Sequence, residues 1–226
     1  MLYKSTRGSS QEIPFSEVLL GGLAPDGGLY MPDHFPFMTL EEINRMEILE
    51  FHELASKILF PFVTGEITET EFSNLVQDTY SNFNNKNVVN LVEIEREKWI
   101  LELFHGPTLA FKDVAMQLLG ALLDYFSQKQ GRRIAVLGAT SGDTGAAAIS
   151  ACSGYSNVDV FILYPHGRVT EVQRRQMTTS EAKNVHALAV ETDFDGCQAM
   201  VKDIFMDDSV SKIGRASCRE RVSSPV

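Results

Sequence analysis

Cysteine is scarce: three residues, at positions 152, 197 and 218, lie far apart with no CxxC pair. That excludes a disulfide framework and a cysteine-ligated zinc site, and it favours a reducing compartment. Positive charge is also short. Lys and Arg number 20 against 30 Asp and Glu, and the net charge of −10 argues against a nucleic-acid or anionic-membrane partner, because phosphate backbones need a basic face. A small anionic substrate stays open, since a local pocket can be positive inside an acidic protein. No uninterrupted apolar run approaches a membrane span, and Met1-Leu2-Tyr3-Lys4 opens no signal-peptide core. The expectation is a soluble, cytoplasmic protein without a bound metal. What is present suits a packed core: 44% of the residues are hydrophobic and 22% charged, over a length that allows one large domain or two modest ones.

The pattern divides the chain into three. Residues 1–87 read as mostly helical around one Gly/Pro-rich interruption. Thr39-Leu40-Glu41-Glu42 and Thr68-Glu69-Thr70-Glu71 both fit a capping box. Phe51, Leu54, Ala55, Ile58 and Leu59 form one helical stripe, and Phe72, Leu75, Val76, Thr79 and Tyr80 another; core packing accounts for both. Residues 88–212 change texture. Val88–Ile94 and Trp99–Phe104 read as strands joined by the charged turn 95–98. Strand Ile134–Leu137, helix Thr144–Cys152, strand Val158–Leu163, helix Val169–Met177, strand Val185–Val190 and helix Phe194–Phe205 then alternate. Such alternation implies an α/β fold, a parallel sheet with helices on both faces. Ligands in these folds gather at the carboxyl ends of strands, which singles out His105–Asp113 and Gly138–Gly145.

Residues 213–226 break the pattern. Ile213–Val222 has no apolar periodicity and reads as the translation of a common sequencing adaptor. The expectation is a non-native tail, and resequencing the locus tests it.

Gly138-Ala139-Thr140-Ser141-Gly142-Asp143-Thr144-Gly145 follows one strand and opens a helix of small residues. Gly142 and Gly145 permit unusual backbone or close approach. The free N–H groups of the helix start, with the hydroxyls of Thr140, Ser141 and Thr144, can hold an anion. An ordinary capped turn fits the same residues equally well. The Gly-Lys-Ser/Thr ending of a Walker loop is missing, as is G-x-G-x-x-G, so an anion here would be a small carboxylate or phosphate. In Glu102–Asp113 a strand ends, Gly106-Pro107 turns the chain, and a helix begins around Leu109–Lys112. Lys112 in a first helical turn opposes the helix dipole. It is either a solvated partner of Asp113 or a pocket lysine available for Schiff-base chemistry. His105 alone carries no assignment.

Glu102-Leu103-Phe104-His105-Gly106-Pro107-Thr108-Leu109-Ala110-Phe111-Lys112-Asp113 resembles the pyridoxal phosphate (PLP) lysine motif of threonine synthases, with Lys112 at the Schiff-base position. Ala139–Gly145 resembles the loop that faces the cofactor ring and substrate carboxylate in that family. Ser5-Thr6-Arg7-Gly8, Gly22–Tyr30, Tyr164–Val169, Gln173 with Gln176-Met177, and Asp193–Gln198 extend the resemblance over about 1–212 in consistent order.

The resemblance implies the tryptophan synthase β-like fold, incomplete at its C-terminus, behind a family-specific helical N-terminal domain. It implies PLP as cofactor and conversion of O-phospho-L-homoserine and water into L-threonine and phosphate. Lys112 would be the catalytic residue and hold the cofactor with Phe111, Ser141, Gly142, Asp143 and Thr144, while Thr140, Ser141 and Thr144 would bind the substrate carboxylate. The family's glycine-rich phosphate cradle and the group facing the pyridine nitrogen have no match here. The chain by itself is therefore expected to be inactive or nearly so. Its oligomeric state is left as monomer or homodimer. A phospho-lyase similar to threonine synthase, releasing a keto acid, shares the same motifs. A non-catalytic interaction or anion-binding module is the rival from another class, against which an intact lysine and Ser-Gly-Asp-Thr-Gly loop speak.

Overall fold

The computed structural model describes residues 1–8 and 11–207 and the backbone of 215–218. The N-terminal region carries the helices α1 (Phe15–Gly21), α2 (Leu40–Arg45), α3 (Phe51–Val63) and α4 (Glu69–Ser81). Both expected capping boxes form: Thr39 Oγ1 accepts from Glu42 N and Thr68 Oγ1 from Glu71 N, with each glutamate reaching back to the threonine N–H. The region also holds a small antiparallel sheet that the helical reading lacks, ordered β2 (Ile13–Pro14), β1 (Leu2–Ser5), β3 (Tyr30–Pro32). Strands of two to four residues are too short to show period-two alternation.

A hairpin follows, β4 (Asn90–Glu95) and β5 (Lys98–Glu102), antiparallel across the charged turn. Its first strand begins two residues later than the apolar run. Val88 adopts φ +61° and its N–H bonds Asn85 O, so a tight turn, not strand, takes up the start of that run. Positive φ at a β-branched residue is rare, and here the buried valine side chain pins it.

Next come α5 (Asp113–Lys129), β6 (Ile134–Ala139), α6 (Asp143–Cys152), β7 (Val158–Pro165), α7 (Glu171–Thr178), β8 (Val185–Val190) and α8 (Phe194–Met206). The strands pair in parallel in the order β8-β7-β6, with Ile134 opposite Val158 and Val160 opposite Val185. Period-two alternation sends Ile134, Val136, Val158, Val160 and Ile162 into one core with α5 and α6 (Phe126, Ala147, Ile149). Ala139 and Leu163 face the other way, against Cys197 and Val201 of α8. The sheet is thus covered on both faces, as the strand–helix alternation implied. Tyr80 of α4 donates to Val114 O at 2.9 Å, tying the N-terminal region to the start of α5. Its phenol is pushed up to about 12 by burial.

The aperiodic tail gives no reason to expect a place for it in the fold. Four of its residues, Arg215–Cys218 (β9), nonetheless pair in parallel with the free edge of β6, from Ala135 opposite Arg215 to Gly138 opposite Cys218. An open strand edge offers unpaired backbone N–H and C=O groups, and backbone pairing asks little of side-chain sequence. The remaining tail residues lie outside the described ones. Among the described residues no helix is long and apolar enough to cross a membrane.

Candidate active site

The chain from β5 to α5 is held by its own side chains. Asp113, the first residue of α5, is fully buried, and its carboxylate accepts from Thr108 N and Thr108 Oγ1, both at 2.8 Å. Such a reach back across five residues fixes the loop 108–112 against the helix start. The backbone turns at Leu109, with φ +63°, and Leu109 N bonds Gly106 O at 3.1 Å. The helix expected from around Leu109–Lys112 therefore starts at Asp113, with Lys112 as its N-cap and already helical in backbone (φ −59°, ψ −28°). The lysine side chain is half-buried, and Nζ lies 4.8 Å from the centroid of the Phe111 ring, within cation–π range. Asp113 is buried and accepts two bonds from Thr108, and Lys112 is half-buried, so the lysine does not stand in solvent as one of the two readings has it.

His105 acts locally. Its Nε2 lies 2.9 Å from Glu102 Oε2, and its carbonyl accepts from Asn84 N at 2.8 Å. It belongs to the support of the loop.

The second segment folds as a closed turn between β6 and α6. Thr140, almost wholly buried, accepts on Oγ1 from Gly142 N at 3.0 Å and from Gly145 N at 2.9 Å. Its N–H continues the sheet to Leu163 O at 3.0 Å. With two acceptances filled, the hydroxyl has only its own hydrogen left to offer a ligand. Thr140 is first of all the clasp of the turn, a duty that its place among the loop hydroxyls does not foretell. The first-turn N–H groups of Asp143 and Thr144 are those Thr140 does not take.

Gly142 sits at φ +148°, and a Cβ there would come within 2.2 Å of the Gln173 side-chain amide. At Gly145 a Cβ would meet Thr140 Cγ2 at 2.5 Å and Ile162 Cγ2 and Met177 Sδ at 2.9 Å. At Gly142 the backbone angle itself favours glycine, and at Gly145, where the backbone is ordinary helix, the packed neighbours do. Ser141 and Asp143 face outward, whereas Thr144 is buried and its hydroxyl oxygen has no hydrogen-bond partner. A buried hydroxyl left unpaired at a helix N-terminus costs free energy unless something fills the position. An anion docked on the first-turn N–H groups would do so, which fits a carboxylate or the oxygen of a cofactor ring.

Two further residues bear on the site, and the chemistry of the sequence does not single them out. Gln173 Nε2 donates to Asp143 Oδ1 at 2.7 Å, and Gln176 Nε2 donates to Thr108 O at 3.0 Å. The resemblance includes Gln173 through Gln176-Met177 but gives them no role, and the remaining signal is Thr170-x-x-Gln173, a capping-box pattern, which does form at the start of α7. It locates the helix start and is silent on what the amide touches 30 residues away.

The site thus joins a parallel sheet covered on both faces, a lysine at one helix start and a glycine-bearing turn at the next. Residues 90–216 match the model of the pyridoxal-phosphate dependent enzymes, and the chain belongs to that family. Residues 2–80 match the model of the threonine synthase N terminus. The particular relatives are threonine synthases. The chain is 52% identical over 212 residues to the threonine synthase of Pseudomonas aeruginosa, covering 94% of this chain and 45% of that protein. Among solved structures, PLP-bound threonine synthase from Brucella melitensis superposes with a TM-score of 0.91 at 47% identity, over 97% of this chain and 48% of that one. The yeast threonine synthase superposes with a TM-score of 0.88 at 41% identity, over 96% and 45% respectively. The chain thus spans about half the length of the curated relatives it matches.

Proposed function

We propose that this chain is part of a threonine synthase, a protein that carries PLP on Lys112 and converts O-phospho-L-homoserine and water into L-threonine and phosphate, and that the chain by itself is inactive or nearly so. One observation carries the reading: a half-buried lysine at the N-cap of α5 accompanies a closed, glycine-bearing helix N-terminus whose buried Thr144 hydroxyl lacks a partner. The cofactor, when bound, supplies an electron sink for carbanions at the substrate carbons. Lys112 Nζ holds the cofactor and then carries protons at those carbons. The N–H groups of Asp143 and Thr144 and the hydroxyls of Ser141 and Thr144 bind the substrate carboxylate, and Thr140 contributes its one hydrogen. Gly142, Asp143 and Phe111 would complete the cofactor's surroundings, Gly142 by leaving the backbone bare, Asp143 by its place at the start of α6 and Phe111 by its ring beside Lys112. Buried reduced thiols at Cys152 and Cys197 agree with a cytoplasmic setting.

The test is mass spectrometry after incubation with PLP and borohydride, beside Lys112→Ala. A pyridoxyl adduct confined to Lys112 and lost in the variant is expected. Labelling spread evenly over the lysines would overturn the assignment. Phosphate release from O-phospho-L-homoserine with threonine as co-product, assayed on a protein spanning the relatives' full length, tests the substrate; a keto acid in its place would make it a phospho-lyase, and robust turnover by this chain alone would overturn the expectation that it is inactive by itself.

A further inference from the structure

Helix α7 turns three residues inward, Gln173, Gln176 and Met177, while Val172, Arg174 and Arg175 face water. The spacing i, i+3, i+4 is that of an amphipathic helix, yet two of its three inward residues are amides. An amide on such a face is costly unless bonded. Both are bonded, and to different loops. Gln173 reaches Asp143 at the start of α6, and Gln176 reaches the carbonyl of Thr108, the residue that Asp113 clamps next to Lys112. Met177 fills the space beside Gly145. The helix is itself firmly started. Gln173 Oε1 accepts from Thr170 N at 3.1 Å and from Thr170 Oγ1 at 2.9 Å, and Glu171 pairs with Arg174 and Arg175.

We propose that α7 sets the geometry between the two halves of the site, with Gln173 and Gln176 as positioning residues. Gln173 orients Asp143 and the N-terminus of α6, and Gln176 holds the loop that carries Lys112. One rigid element then fixes how far the amine stands from the anion-binding donors. The inference deepens the assignment of the cofactor to Lys112 and rests on it.

Gln173→Glu separates this role from plain packing. The glutamate keeps the acceptor that caps α7 but loses the donor to Asp143 and sets two carboxylates together. The expected result is a melting temperature lower by only a few degrees, with selective trapping of PLP at Lys112 about tenfold slower and amide exchange over 139–146 about tenfold faster, the scale of one lost bond to a charged group. Adding Asp143→Asn restores a donor–acceptor pair with reversed polarity, and exchange over 139–146, the readout that does not depend on Asp143 facing the cofactor, should return to within about twofold of the parent, as a coupled pair requires. Gln176→Glu applies the same test to the other arm and should speed exchange over 105–112. Parental exchange in Q173E, or a double variant no better than Q173E, overturns the inference. A parent protein that gives no selective adduct at Lys112 would instead overturn the cofactor assignment, and the exchange rates would still decide whether α7 holds the loops.

Discussion

The two loops of the site are built on opposite plans. The turn 140–145 closes on itself: one buried hydroxyl takes two backbone N–H groups, both glycines are hemmed in by neighbours, and little of it moves without breaking a contact. The loop 105–112 is anchored at its ends and open in the middle. Leu109 and Phe111 stand 63% and 58% exposed, and a single carboxylate, that of Asp113, holds the segment to the helix. The half that binds an anion is thus set in advance, as electrostatic binding requires. The half that carries the amine leaves Leu109 and Phe111 open to solvent.

Asp113→Ala should widen that contrast most. Two half-buried donors on Thr108 lose a charged acceptor, which costs about 2 kcal/mol, and exchange should rise over 105–112 and stay parental over 139–146. Chemical denaturation with peptide-resolved exchange checks this; equal loosening of both loops would erase the distinction. Thr140→Val should do the converse at about 2 kcal/mol, since two buried N–H groups lose their acceptor while the shape is kept. Here the exchange should appear over 139–146. The smallest effect is that of acid. The bonds from Arg174 and then Arg175 hold the Glu171 carboxyl down at about 2 from its ordinary 4.5. A depressed carboxyl contributes stability above its unfolded value that is lost as pH falls through the folded one. The start of α7 should therefore be unchanged from pH 8 to 5 and weaken only below about 4.5, in both loops together. Exchange at pH 6 that already differs between the loops would show that they do not share this support.

The sequence makes the local features of this molecule readable and hides the distant ones. Strand Val185–Val190 is found with its ends in place, and β6, β7 and α6 to within two residues, because apolar runs bounded by turn residues report a buried parallel sheet directly. Both capping boxes are legible because cap and partner are three residues apart. The helix start at Lys112 is missed by a few residues, since the segment before it is set by Asp113 reaching back and by a positive φ at Leu109, neither of which composition announces. Lys112, Ser141, Gly142, Asp143 and Thr144 stand on the two loops at strand ends, and their separate roles come through the family resemblance more than through spacing. The glutamine ties were out of reach, as 30 and 68 residues separate their partners and no local pattern records a contact of that span.

The one-turn interval between Gln173 and Gln176 behaves as a phase relation. An α-helix advances about 1.5 Å and about 100° per residue, so three residues bring the second amide nearly beneath the first. One residue removed between them would swing Gln176 by about 100° to the solvent side where Arg175 lies, and one added would carry it to the place that Met177 fills beside Gly145, in either case off the Thr108 carbonyl. The outer face of α7 can accept many side chains, but its length between these two positions is fixed, and evolution can retune the surface of this helix far more freely than its count of residues.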